Sequence, residues 1–304
     1  MDFALTDDQA ALVAAVDTLL ARHAGPARAR ALLDAGRYDA ELMDALAAAG
    51  FLDVADEGAG PLEAVLVVEA VARAAGCVPA GARALVAPAV LASPLPGVLA
   101  LASPEPGALA RHAAVADAVL IGDRIVPAAA LRVTPVTSMF GYPLAAVEAE
   151  DESGETLDGE RLRAWWRVAL AAEMVGTMEA ALDMTVRYVT ERHQFGRPLG
   201  ANQALQHRLA ELHVGVEGAR WLARHAAATG ARAEDAAVAA AHAATVAEAL
   251  TRETHQLTGA MGLTEEYDLF LWTMRLPALR LELGGVGGHR AAVTQARWAA
   301  GPAA

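Results

Sequence analysis

The 304-residue sequence predicts a mainly α-helical protein interrupted by one short β-rich segment. Three observations predict it. Apolar residues make up 55% of the chain but aromatics only 5%, and alanine is extremely abundant, a mix suited to helices packed closely through small side chains. Long stretches before residue 92 and after residue 160 place apolar residues at helical spacing. Between them Pro94, Pro96, Pro104 and Pro106 break any helix, and short apolar alternations follow.

The first helix is expected within Asp2 to Arg22, with Thr6 as N-cap ahead of Asp7 and Asp8 and an apolar stripe of Leu12, Val13, Val16, Leu19 and Leu20. Further helices are expected near Ala27 to Ala35, from Asp39 to Ala49 with Gly50 as the stop, from Pro61 to Ala75 closed by Gly76, and from Gly81 to Ala92. Strands are expected at Ala113 to Ile121, Arg124 to Val126, Leu131 to Val136 and Leu144 to Ala149, with a polar loop from Asp151 to Gly159. One long helix then runs from Leu162 to Gln194, and others over Asn202 to Gly230, Ala233 to Gly259, Glu265 to Met274 and Gly285 to Trp298. This order divides the chain into a helical part over 1–92, a small β part over 93–159 and a helical bundle over 160–304.

Composition excludes several classes. The net charge is −13, and all 24 basic residues are arginine, with no basic stripe to meet nucleic-acid phosphates. No run of about 18 apolar residues escapes a charge or a Pro or Gly break, which speaks against a membrane span. No basic, apolar, small-residue signal opens the chain, so a cytoplasmic location is expected. A single cysteine, Cys77, leaves no internal disulfide and sits in apolar surroundings that suggest an inert thiol. No metal site is expected.

The most informative stretch joins two helical patterns across a break at Gly196 to Gly200: RYVTERHQFGRPLGANQALQHRLAE, from Arg187 to Glu211. Arg192 and Gln194, at a helix end beside a Gly-containing turn, are suited to an anionic phosphate, although Arg192 alone also reads as a helix-end cation. The stretch closely resembles the signature of the acyl-CoA dehydrogenase family, Y-x-x-x-R-x-Q-F-G-x-P-I/L-x-x-x-Q-x-x-x-H-x-L-A, here carried from Tyr188 to Ala210. A second run, Gln256-Leu257-Thr258-Gly259-Ala260-Met261-Gly262, is similar to the family's Q-x-x-G-G-x-G, and by itself also reads as a helix C-cap and turn. The resemblance implies an acyl-CoA dehydrogenase-like fold: an N-terminal helical domain, a central β-domain and a C-terminal four-helix bundle. It implies FAD as cofactor, with Arg192, Gln194, Phe195, Leu199 and Asn202 lining one side and Gln256, Gly259 and Ala260 the other. It also implies that the two motifs, coming from different subunits, meet on one FAD, so that the chain is at least a dimer.

The β segment departs from the family. The loop that in the family reads T-E-P-G-x-G-S-D is Ser103-Pro104-Glu105-Pro106-Gly107-Ala108-Leu109 here, which keeps E-P-G and loses the final Gly-Ser-Asp. Ala116-Asp117 resembles the start of a later family strand, so the strands between appear as a deletion and the β-domain as reduced.

Dehydrogenation of an acyl-CoA needs a base for the α-proton, and a carboxylate in a dry pocket suits the task because burial raises its basicity. Counted from the Gln256 motif, the family's base position falls on Leu283, or on Gly284 if the register shifts by one. Glu282 is adjacent but is expected to point to another side of the chain; a local register shift would make it the base. The family's other base position falls near Trp166, with Glu173 about two turns further on. His289 is a candidate substitute that also reads as a capping or surface residue, and Glu265 and Glu266 read as a solvated turn.

Three readings follow. The first is the base-lacking subunit of a heteromeric acyl-CoA dehydrogenase, of the kind whose known members act on bulky steroid side-chain thioesters, with a homologous subunit as partner. The second is a homomeric flavoenzyme of the same fold with altered chemistry. The third is a non-catalytic scaffold that has lost FAD.

Overall fold

In the computed structural model, which describes residues 4–34, 36, 38–55, 58–92, 95–105, 107–149, 154–194 and 196–298, the helical, β and helical order is present. The chain opens with α1 (Asp7–His23), whose Thr6 cap forms a complete capping box: the Thr6 hydroxyl accepts from the Gln9 N–H, and the Gln9 side chain accepts from the Thr6 N–H. Helices α2 (Pro26–Asp34), α3 (Ala40–Ala48) and α4 (Pro61–Arg73) follow, and a π turn at Ala82–Val86 leads into the short α5 (Ala87–Val90).

Seven short strands come next among the described residues: β1 (Leu99–Ala102), β2 (Ala108–Arg111), β3 (Ala118–Ile121), β4 (Arg124–Pro127), β5 (Leu131–Val136), β6 (Leu144–Ala149) and β7 (Glu155–Thr156). They form one sheet in the order β1-β3-β4-β7, with β1 and β3 parallel, and a second antiparallel sheet in the order β2-β6-β5. Ala100, Ala110, Val119, Ala145 and Val147 fill a small core of their own. The expected strand at Ala113 begins only at Ala118, because His112 turns left-handed at φ 63° and Ala113–Val115 wind into a 3-10 turn. Strands β1, β2 and β7 were not expected; with four residues or fewer each, they give too short an alternation to read.

The second helical part starts with α6 (Gly159–Glu191), a 33-residue rod capped by Asp158 and about 50 Å long at the α-helical rise. A two-residue hairpin, β8 (His193–Gln194) with β9 (Arg197–Pro198), turns the chain through Gly196 into α7 (Gln203–Ala228) and then α8 (Ala233–Thr258). The chain ends with α9 (Phe270–Thr273), α10 (Leu276–Leu281) and α11 (Gly285–Trp298). The helix expected over Glu265 to Met274 is reduced to α9. Its first half is held as turns, with Asp268 paired to Arg30 at 2.5 Å and the Tyr267 hydroxyl donating to the Met184 carbonyl at 2.6 Å. Helix α10 was not expected; it carries its proline in the first turn, where a missing N–H costs nothing.

Both helical parts share one apolar core: Leu42, Leu46 and Val67 from the first pack in a single cluster with Leu170, Met174, Met178, Leu250 and Leu279 from the second. Small residues allow the close approach. Ala236, Ala240, Ala243 and Ala247 form a fully buried stripe at helical spacing on α8. On α6, a Cβ added at Gly176 would lie 2.1 Å from the Glu69 carbonyl oxygen of α4. No helix of the described residues is long and apolar enough to cross a membrane.

This contact makes an opposed pair of predictions. Gly176→Ala should lower the unfolding free energy by about 2 kcal/mol or more, because overpacking outweighs the gain in helix propensity. Gly287→Ala, where an added Cβ meets nothing within 4 Å, should leave stability unchanged or raise it by up to about 1 kcal/mol. Urea denaturation of the two variants beside the parent chain checks both signs.

Candidate functional site

The end of β2 brings Arg111 into the interior, its side chain only 11% exposed. Trp166 and Glu173 lie seven residues apart on α6, two turns along one face, and both turn towards it. Glu282 arrives from the junction between α10 and α11. Arg111 Nε donates to Glu282 Oε1 at 2.5 Å, Arg111 Nη1 donates to Glu173 Oε2 at 2.6 Å, and Trp166 Nε1 donates to Glu282 Oε2 at 2.6 Å. The guanidinium carbon lies 4.8 Å from the centre of the Tyr142 ring, and Arg275 lies 5.2 Å from the same ring.

Burial and charge oppose each other here. Burial works against the charge on Arg111, but Glu173 and Glu282 hold it well above its ordinary range, so it is a fixed cation. Burial pushes the Glu173 carboxyl up, opposed by Arg111. The two carboxylates answer the one guanidinium, and Gly81 leaves room for Glu173, whose Oε1 would lie 2.5 Å from a Cβ at that position.

This network forms the polar end of a cavity of about 310 Å³. Its walls are apolar and include Leu109, Phe140, Leu144 and Leu281, and Ser103 and Glu105 of the E-P-G loop reach it as well. Leu283, Gly284, Trp166 and Glu282, four of the positions at which the sequence suggested looking for a base, line this one cavity. Glu282 does not point to another side of the chain, as the sequence suggested. Its neighbour Leu283 adopts a left-handed backbone (φ 52°, ψ 34°), followed by Gly284 and Gly285 at φ 80° and 64°, and this twist redirects the chain. A left-handed leucine costs about 1–2 kcal/mol. The carboxylate of Glu282 is engaged by Arg111 and Trp166. Sequence reasoning missed Arg111, which sits alone at the end of a four-residue strand with no motif around it.

The described residues of the two flavin motifs lie at or near the surface. Arg192 ends α6, its N–H donating to the Tyr188 carbonyl, and Gln194 stands in the β8–β9 hairpin; both side chains are exposed. Asn202 caps α7 by accepting from the Ala204 N–H at 3.1 Å, and Leu199 is half-buried beside it. Phe195 lies outside the described residues. Gln256 is exposed on the last turn of α8, which ends at Gly259 with φ 61°, and Ala260 is exposed too. Arg208 of α7 pairs with Glu253, one turn before Gln256, at 2.6 Å. The start of α7 and the end of α8, which carry parts of the two motifs, therefore stand at one end of the bundle.

These residues fit one side of a dinucleotide site. Arg192 has no carboxylate within ion-pairing distance among the described residues, so its charge is open to an anion, and Gln194 and Gln256 present amide groups to solvent. Among the described residues no three His, Cys, Asp or Glu side chains gather as a metal site. Glu265 and Glu266 are exposed turn residues, and Cys77 is buried.

His289 is neither a cap nor a surface residue. It is fully buried on α11 with neither ring nitrogen hydrogen-bonded among the described residues, and burial, with Arg167 adding to it, pushes its pKa down to about 4 from 6.5. The fold thus favours neutral His289: the contribution is present above the unfolded value and is lost as the pH falls towards about 4. By linkage this amounts to about 3 kcal/mol. In His289→Gln, which does not titrate, the stability deficit relative to the parent should shrink by up to that amount between about pH 7 and about pH 4. Paired urea melts at the two pH values read it directly.

Comparison with known proteins agrees with this geometry. Residues 160–296 match the acyl-CoA dehydrogenase C-terminal domain. The acyl-CoA dehydrogenase IpdE2 of Mycobacterium tuberculosis is 33% identical over 287 residues, covering 86% of this chain and 88% of that protein. Among solved structures, the ChsE4–ChsE5 complex from Mycobacterium tuberculosis aligns with a TM-score of 0.79 at 22% identity, over 97% of this chain and 98% of that one. The Tcur3481–Tcur3483 steroid acyl-CoA dehydrogenase aligns with a TM-score of 0.81 at 21% identity, over 96% and 98%. With a curated relative at this identity matched over nearly its whole length, the chain belongs to the acyl-CoA dehydrogenase family.

Proposed function

We propose that this chain takes part in the FAD-dependent α,β-dehydrogenation of an acyl-CoA thioester as the base-lacking subunit of a heteromeric assembly with a homologous acyl-CoA dehydrogenase chain. The observation that carries the reading is the pocket. Counted from the family motifs, the positions for a base fall on Leu283 or Gly284 and near Trp166, none of which can take a proton, and the adjacent carboxylate, Glu282, is bound to Arg111 and Trp166. The exposed Arg192, Gln194, Gln256 and Gly259 are the second support, a flavin-binding face that this chain leaves uncovered.

In this reading the chain contributes binding and orientation. Arg192 meets the diphosphate as a charge-assisted donor, Gln194 adds a neutral amide beside it, and Gln256 with the Gly259 turn offers a polar edge and a close backbone approach to the adenosine half. FAD held by these residues would supply an acceptor for the β-hydride of the acyl chain, and a chain without a base of its own would leave the α-proton to its partner. A bulky, steroid-type acyl group is the substrate class we favour, since one structural neighbour carries that word in its name.

A homomeric flavoenzyme of altered chemistry is the second reading, and the presence of the Glu282 carboxylate in the pocket favours it. The two differ in where flavin binding resides. Purified together with a longer homologous partner, the assembly should hold FAD, and Arg192→Ala in this chain should weaken flavin affinity about 10- to 100-fold, the worth of one charged hydrogen bond. The melting temperature of the variant chain should stay near that of the parent because the residue is exposed. Equal flavin affinity in parent and variant would remove this face from the cofactor site.

A further inference from the structure

A second cavity, of about 290 Å³, lies between α1 and α4 of the first helical part and α6 and α7 of the bundle. Leu5, Val13 and Leu66 form its apolar side. Its polar side carries three carboxylates, Glu69, Glu179 and Glu217, and three guanidiniums, Arg73, Arg220 and Arg224. Ion pairing uses only part of that set. The buried Glu69 is held by Arg224 Nη2 at 2.7 Å, and Arg220 spends its guanidinium on Glu69, Glu179 and Glu217 together. Arg73 Nη1 and Arg224 Nη1 donate no hydrogen bond among the described residues, and Glu179 Oε1 and Glu217 Oε2 accept none. Two donors and two acceptors, of opposite charge, thus stay open around a free volume beside an apolar wall.

We infer that this cavity is a binding site for a small zwitterion with an apolar side chain, the chemistry of a free α-amino acid. The ligand carboxylate accepts from Arg73 and Arg224, its ammonium donates to Glu179 and Glu217, and its side chain rests on Leu5, Val13 and Leu66. A plain anion is disfavoured because it would meet the three lining carboxylates, and a plain cation because it would meet the three guanidiniums. A hydrocarbon would strip water from these charges and return no hydrogen bond. Bound here, the ligand bridges two helices of the first helical part and two of the bundle, so it stabilises the folded chain by mass action. The inference does not rest on the flavin reading, since it concerns a cavity that shares no lining residue with the pocket of Arg111 and Glu282.

The test is a calorimetric titration of the full chain with L-leucine, N-acetyl-L-leucine, which lacks the cation, and L-leucinamide, which lacks the anion. L-leucine should bind at one equivalent per chain with a Kd of about 1 mM or tighter. Each of the other two should bind about tenfold or more weakly, the worth of one charged hydrogen bond. Glu217→Gln should weaken L-leucine by about fivefold or more, while the melting temperature without ligand stays near that of the parent because the side chain is 32% exposed. No saturable heat from L-leucine at about ten times that Kd, an acetylated or amidated form that binds as tightly, or equal L-leucine affinity in Glu217→Gln would each overturn the inference. The ranking of the three compounds on the parent chain decides the matter even if the variant is too unstable to titrate.

Discussion

One buried guanidinium holds this structure's interior together. Arg111 comes from the small β part, Glu173 and Trp166 from the middle of the long α6, and Glu282 from the link between the last two helices, so a single ion-paired cluster joins three separate regions of the chain. Such a cluster adds little net stability over an apolar filling. Breaking it is another matter, because an unpartnered buried charge costs several kcal/mol. Its consequence is specificity of arrangement: the carboxylate nearest the family's base position is committed to a cation and an indole.

Close packing is what lets the cluster form. The alanine stripe of α8 and the glycine of α6 against α4 draw the helices together, and Gly81 leaves space for the Glu173 carboxylate beneath Arg111. The low aromatic content noted in the sequence belongs to this design, with the few large rings placed at the site: Tyr142 lies against two guanidiniums, and Trp166 gives its N–H to Glu282. A left-handed Leu283 between them is the local strain that turns Glu282 inward.

Much of this was legible from residues near one another in the chain. The Thr6 capping box, the long helix from about residue 160 and the β5 and β6 strands follow from local patterns, and the signature from Tyr188 to Ala210 identified the family that sequence comparison shows. What escaped was non-local. Arg111 finds partners 62 and 171 residues away, and nothing around it announces them. The expected helix at Glu265 was undone by a hydroxyl bonded to Met184 and a carboxylate bonded to Arg30, contacts that periodicity cannot see. His289 read as a capping or surface residue because it stands in a Gly-rich helix entry, whereas the fold buries its side chain completely. The side on which Glu282 lies depended on one backbone twist.

On the proposed reading, this chain offers a flavin-binding face without a complete site of its own. The decisive measurement is the visible absorbance spectrum of the chain purified alone, taken with its mass in solution by light scattering. The chain alone should be colourless and take up flavin absorbance only when a homologous partner is produced with it. A yellow homodimer carrying about one flavin per chain would contradict it, and would return Glu282 to the role of base.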